Sequence, residues 1–176
     1  MTSQIIADDG GFLFPRGMPA AFSIHPVRTA DDLAAVVALF EEYVASLTTD
    51  LGYQDFSGEL AGLPGKYAPP DGELLLAREA AGQPLGCVGL RPIAPDDCCE
   101  MKRLYLLPAA RGLGLGKAMT EAVIKTARAL GYGELRLDTL PSMTTAMRLY
   151  ETMGFERTGP YYAPTPDGTV FMRLRL

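Results

Sequence analysis

Three glycines in five positions, Gly112, Gly114 and Gly116, separate a run of strand-forming residues from a run with helical periodicity. Residues 99–107 are rich in β-formers and stop at Pro108. Beyond the glycines, Leu115, Ala118, Met119, Ala122, Val123, Ala127 and Leu130 recur at three- and four-residue steps. Lys117, Glu121, Lys125 and Arg128 take the opposite face, and Gly131 is a stop signal. The pattern predicts a strand, a tight turn and a helix that begins inside the turn. Such a turn leaves backbone N–H groups unpaired at the positive end of a helix dipole, a natural cradle for a phosphate or diphosphate. Glycine suits it because a Cβ would block the anion and because some of these residues need φ > 0. Arg111 and Lys117 add positive charge at the rim.

Two common phosphate motifs do not fit. The phosphate loop needs Gly-Lys followed by Ser or Thr, whereas Gly116-Lys117 is followed by Ala118, and Arg111 stands where the first glycine should be. The dinucleotide fingerprint Gly-x-Gly-x-x-Gly lands on Lys117 from Gly112 and on Met119 from Gly114. What fits is Arg-x-x-Gly-x-Gly, as Arg111, Gly114 and Gly116, which resembles the acetyl-CoA-binding signature of the GNAT superfamily of N-acetyltransferases. The likeness continues in Leu149-Tyr150-Glu151-Thr152-Met153-Gly154-Phe155, similar to that family's Leu-Tyr-x-x-x-Gly-Phe segment. The second half of the chain carries the resemblance; the first half matches only in its order of elements.

With 176 residues, 48% of them hydrophobic, the chain can bury a substantial single core. Residues 1–20 lack periodicity and are broken by Gly10, Gly11, Pro15, Gly17 and Pro19, so they read as a partly disordered N-terminal extension before one domain over 21–176. A net charge of −5 without a basic run argues against a nucleic-acid partner. Cys87, Cys98 and Cys99 are odd in number, and with His25 the one histidine no metal site can be drawn. The N-terminus lacks the basic start and apolar run of a signal peptide, and no stretch is long enough to span a membrane. The resulting expectation is a cytoplasmic protein without membrane contact.

Taken in order, 22–27 reads as a strand, and Thr29 caps a helix running to about Leu47. Tyr53, Phe56, Leu60, Leu63 and Tyr67 suggest a short second helix broken by Gly62 and Pro64-Gly65. Strands at 73–79 and 84–93 form a hairpin and lead to the central strand. After the helix following the glycines, 134–140 alternates Leu135, Leu137 and Thr139 against Arg136 and Asp138, a strand joined to the central one by a crossover. A helix from Thr144 or Thr145 to Gly154, a loop at 161–168 and a strand at 169–176 close the chain. The fold class expected is α/β, and the resemblance implies the GNAT arrangement: a mixed sheet of six to seven strands with helices on both faces.

The resemblance also implies the chemistry. The enzyme would move an acetyl group from acetyl-CoA, without a metal, to the primary amine of a small molecule. Two alternatives are a non-catalytic acyl-CoA-binding module and an acetyltransferase for protein N-termini or lysines. Residues Arg111, Gly112, Leu113, Gly114, Leu115, Gly116 and Lys117 would hold the diphosphate, while backbone groups along Leu104, Tyr105 and Leu106 would meet the pantetheine arm. Tyr150 would protonate the CoA thiolate, and Glu100 would act as the base. Strand alternation puts Glu100, Lys102, Leu104 and Leu106 on one face, with Met101, Arg103 and Tyr105 on the other. Structural pairing of Glu100 with Lys102 or a neighbouring strand is the competing reading. Arg91 and Arg103 could hold a substrate carboxylate, which would suit an amino acid, and Tyr53, Phe56, Tyr161 and Tyr162 could close a pocket. One departure from the family pattern is Met143, at a position where many relatives carry an Asn that holds the cofactor arm. C-terminal strands in this superfamily often pair across a homodimer, so a dimer is an open expectation.

Overall fold

The structure, a computed structural model, describes residues 12–13, 22–46 and 56–176. Its elements are β1 (Phe12–Leu13), β2 (Phe22–Pro26), α1 (Ala30–Ser46), α2 (Phe56–Ala61), β3 (Glu73–Glu79), β4 (Pro84–Ile93), β5 (Cys98–Leu106), α3 (Leu115–Ala129), β6 (Glu134–Thr139), α4 (Thr144–Thr152), β7 (Glu156–Thr158) and β8 (Val170–Arg175). The strands form one sheet in the order β1-β2-β3-β4-β5-β6-β8-β7. Seven of them have three or more residues, as the sequence leads one to expect, and the two-residue β1 adds an eighth at the edge, antiparallel to β2. The expected end of α1 at Leu47 lies outside the described residues.

Helices cover both faces because the long strands are apolar on both. Within β3, Leu75 and Ala77 join the core beneath α3, while Leu74 and Leu76 join the core beneath α1. Met119, Val123 and Ala127 of α3 and Tyr150 of α4 fill the first core; Val36, Leu39 and Phe40 of α1 fill the second. Burying each such large side chain contributes about 1.5–3 kcal/mol. Helix α1 starts where its cap predicts, with the Asp32 N–H donating to Thr29 Oγ1 at 3.1 Å. β6 alternates as read, with Leu135, Leu137 and Thr139 buried against Arg136 and Asp138.

Two irregularities in the central strand shape everything near the glycine turn. First, β5 and β6 run parallel, but they pair only at Cys98↔Glu134, Cys99↔Leu135 and Glu100↔Arg136. Past Glu100 the two strands separate, so the β6-facing edge of the rest of β5 lies outside that ladder. Second, the β4–β5 register jumps from Gly89↔Lys102 to Cys87↔Tyr105, so Val88 faces both Arg103 and Leu104. This is a β-bulge, and Arg103 adopts φ 58°, left-handed territory rare for a side-chain-bearing residue.

The bulge overturns the expected alternation. Leu104 and Leu106 pack with Met101 and Cys99 on the α3 side, whereas Tyr105 joins the α1 core. Arg103 meets α2, with its guanidinium carbon 5.2 Å from the Phe56 ring centre. The extra residue shifts the strand by one and exchanges the faces of everything after it.

Candidate active site

The glycine turn has the form its composition predicts. Gly112 and Gly114 both sit at φ 78°, a left-handed conformation that other residues adopt only with strain. The first bond of α3 runs from the Ala118 N–H to the Gly114 carbonyl at 3.1 Å, and no side chain caps the end. The amides of Leu115, Gly116 and Lys117 therefore have no carbonyl to bond within the helix. Leu113 is among the exposed apolar residues at the turn. Arg111 is exposed, its Nε donating to the Leu106 carbonyl at 3.3 Å, and Lys117 Nζ lies 3.7 Å from Glu121 Oε1 at the surface. These residues fit a diphosphate by the chemistry of their donors.

The parting of β5 and β6 opens a narrow cleft of about 60 Å³, lined among others by Tyr43, Lys102, Arg103, Asp138, Met143 and Tyr150. Leu104 lines it as well, while Tyr105 turns to the α1 core, its ring centre 5.8 Å from that of Tyr43. Tyr150 comes from α4, whose apolar side sits on the sheet. Burial pushes its phenol up, with Tyr43 and Asp138 adding to the shift, so it stays protonated at neutral pH. Met143 occupies the N-cap of α4 without a side-chain hydrogen bond and presents a thioether to the cleft. Thr139 also lines the cleft, and its buried hydroxyl has no hydrogen-bond partner.

Glu100 and the two arginines expected at the substrate are linked in one chain of charges along the α1–α2 side of the sheet, closed by Arg91 Nη1 at 3.9 Å from Glu59 Oε2. Glu100 is fully buried, with Oε2 accepting from Arg91 Nε at 2.7 Å and Oε1 from the Tyr161 hydroxyl at 2.7 Å. It is paired with a neighbouring strand, which was the competing reading of this residue. Arg103 donates Nε and Nη2 to Glu59 of α2, at 2.8 and 3.2 Å. Burial works against the Arg103 charge, and the Glu59 pairing outweighs it, holding the guanidinium above its ordinary value. Both arginines expected to take a substrate carboxylate thus already hold protein carboxylates. Tyr162 lies over Lys102, which is 5.1 Å from its ring centre and donates to its hydroxyl at 3.3 Å. Tyr53 lies outside the described residues.

Glu59 and Asp138 are members of this network that sequence reading passed over. Glu59 sits in a stretch whose visible pattern is its apolar residues, and Asp138 is a polar member of an alternating strand. Lys102 joins the two ends, 2.5 Å from Asp138 Oδ1 and 3.7 Å from Glu100 Oε1.

Residues 34–155 match the family described as Acetyltransferase (GNAT) family. The chain belongs to the GNAT family. It is 41% identical over 158 residues to an uncharacterized N-acetyltransferase of Schizosaccharomyces pombe, covering 90% of this chain and 97% of the relative. An uncharacterized N-acetyltransferase of Escherichia coli K12 is 33% identical over 152 residues, covering 84% and 89%. An acetyltransferase from Streptococcus agalactiae, solved by crystallography, shares the fold with TM-score 0.72 and 22% identity over 88% of this chain and 98% of that one. The protein is therefore an acyltransferase, an N-acetyltransferase of GNAT type, which sets aside a non-catalytic role. Among the described residues no helix is long and apolar enough to cross a membrane.

Proposed function

We propose that this GNAT enzyme transfers an acetyl group from acetyl-CoA to the primary amine of a small molecule, by direct attack while both are bound. One observation carries the reading: the uncapped, glycine-built start of α3 packs at Gly116 against Leu106, at the end of the strand that parts from β6, and against Leu149, the neighbour of Tyr150 in α4. The amides of 112–117 would hold the diphosphate, Arg111 and Lys117 would add charge, and the free edge of β5 would receive the amide-bearing arm. When bound, acetyl-CoA supplies an activated acyl group and a thiolate leaving group.

The chain's own residues then have three tasks. An amine with pKa near 10 must lose a proton before it can attack. The carbonyl oxygen needs a donor as charge builds on it, and a backbone N–H on the β6-facing edge of β5 is suited to that. Tyr150, buried and protonated, can hand its proton to the departing sulfur. The two cations that line the cleft are already matched, Lys102 by Asp138 and Arg103 by Glu59, so the acceptor is proposed by its primary amine alone. Glu100 enters as a base only if Arg91 or Tyr161 releases it; as placed, it holds both of them.

The test is CoA-thiol release with purified protein, acetyl-CoA and a panel of the L-amino acids, spermidine, phenethylamine and glucosamine. Turnover of at least one amine is expected, falling by about 10²–10⁴ in Tyr150→Phe while the acetyl-CoA-induced rise in melting temperature persists. No turnover across the panel, or full turnover in the variant, contradicts the reading.

A further inference from the structure

We propose that Asp138 is the carboxylate that receives the acceptor's ammonium group and takes its proton, with Lys102 occupying that place until the acceptor arrives. The proposal rests on the acetyl-transfer reading above and deepens it. Four observations support it. Among the residues lining the cleft, Asp138 is the one carboxylate. It lies on β6 beyond the last β5–β6 pair, where the strands have already separated. The group it holds, the Lys102 ammonium at 2.5 Å, is a primary alkylammonium, chemically what an acceptor amine brings. Finally, Lys102 has somewhere to go. Its Nζ is 3.7 Å from Glu100 Oε1 and 3.3 Å from the Tyr162 hydroxyl, so displacement need not strand a buried cation.

Glu100 then has a defined part. Anchored by Arg91 and Tyr161, it does not approach the amine; it is a positioning residue that receives Lys102. The groups facing Asp138 come from every surrounding element: Lys102 and Arg103 from β5, Tyr150 from α4 and Tyr43 from α1. Tyr161 and Tyr162 close it from the loop before β8, and Arg136 stands two residues back on its own strand.

The protons balance as follows. Asp138 takes one proton from R–NH3+, leaving R–NH2, whose lone pair forms the C–N bond to the acetyl carbon. As the C–S bond breaks, Tyr150 gives its proton to the sulfur and recovers one from the new amide nitrogen. Asp138 returns its proton to solvent when the product leaves. The net change is one ammonium and one thioester converted to one amide, one thiol and one released proton.

The experiment compares kcat/KM against pH for wild type, Asp138→Asn and Lys102→Gln, using the best amine of the panel above. Wild type is expected to reach a plateau below the amine's own pKa, because the enzyme removes the proton itself. In Asp138→Asn only the neutral amine can react. Turnover at pH 7 should fall by about 10²–10⁴, and the profile should climb tenfold per pH unit toward the amine's pKa near 10. Lys102→Gln should keep the plateau, because Asp138, the group that takes the proton, is still in place. A purely structural ion pair would make the two single variants alike. If Asp138→Asn alone no longer shows the acetyl-CoA-dependent melting shift, the Lys102→Gln, Asp138→Asn double variant, which strands no charge, is read in its place. A plateau retained in Asp138→Asn, with wild-type turnover intact, overturns this inference alone; a wild type that transfers to no amine overturns the acetyl-transfer reading and this one with it.

Discussion

One methyl group, placed two residues apart, separates the fold from the cradle. Gly114 sits at φ 78°, so Gly114→Ala forces an alanine into left-handed space at a cost of about 1–2 kcal/mol. Gly116 is helical, and a Cβ there would meet Leu106 Cδ1 at 3.5 Å and Leu149 Cδ2 at 3.7 Å, which are ordinary contacts. Gly116→Ala is therefore free of strain and should gain about 0.5–1 kcal/mol from helix entropy. For a chain of this size 1 kcal/mol moves the melting temperature by about 2–4 °C. Without ligand, Gly114→Ala should melt roughly 2–8 °C below wild type, and Gly116→Ala slightly above it. Acetyl-CoA at 100 times its Kd adds about 2.7 kcal/mol, or roughly 5–10 °C, to a protein that binds it. Gly116→Ala should keep most of that increment. Gly114→Ala should lose it, because relief of the strained φ turns the amides away from the anion. Differential scanning fluorimetry with and without acetyl-CoA reads both quantities. A Gly114→Ala protein that melts like wild type and keeps the full increment would refute the strain and the cradle together.

Three further outcomes follow from the charges and thiols. Glu100→Ala leaves the buried side of Arg91 without its carboxylate; because that arginine is 24% exposed, the loss should be near the lower end of the usual range, about 3 kcal/mol by urea unfolding. Burial alone would raise the Asp32 carboxyl, but hydrogen bonding with Arg78, Thr29 and His25 outweighs it and holds the group at about 2 against an ordinary 3.8. A depressed carboxyl contributes stability above its unfolded value, so about 2 kcal/mol should be present at pH 7 and disappear as pH falls from about 4 to 2. Asp32→Asn should remove that contribution and flatten the acid limb of the stability curve. Burial pushes the Cys99 thiol up to about 12 and raises those of Cys87 and Cys98 as well. An aromatic disulfide reagent at pH 8 should titrate none of the three rapidly until denaturant is added.

What could be read in the sequence was what is local. Glycine spacing foretold the left-handed turn at Gly112 and Gly114, Thr29 foretold its own capping bond, and the leucines of β6 foretold which side faces the core. The faces of β5 could not be read this way. Nothing about Arg103 announces a positive φ, and one bulged residue was enough to send Tyr105 and Leu106 to the sides opposite to those expected. The charge network was hidden for a different reason. Its bonds join residues 44, 36 and 61 positions apart, as in Arg103–Glu59, Lys102–Asp138 and Tyr161–Glu100, and periodicity carries no information about such pairs. In the sequence Asp138 is only a polar member of an alternating strand; the separation of β5 from β6 places it in a cleft.

A titration of 15N-labelled protein with CoA, followed by amide proton and nitrogen shifts, tests the central claim most directly. The largest changes should fall on the amides of residues 112–117, with a second set along 101–106 where β5 loses its partner. Shifts concentrated elsewhere, with 112–117 unmoved at saturation, would contradict it.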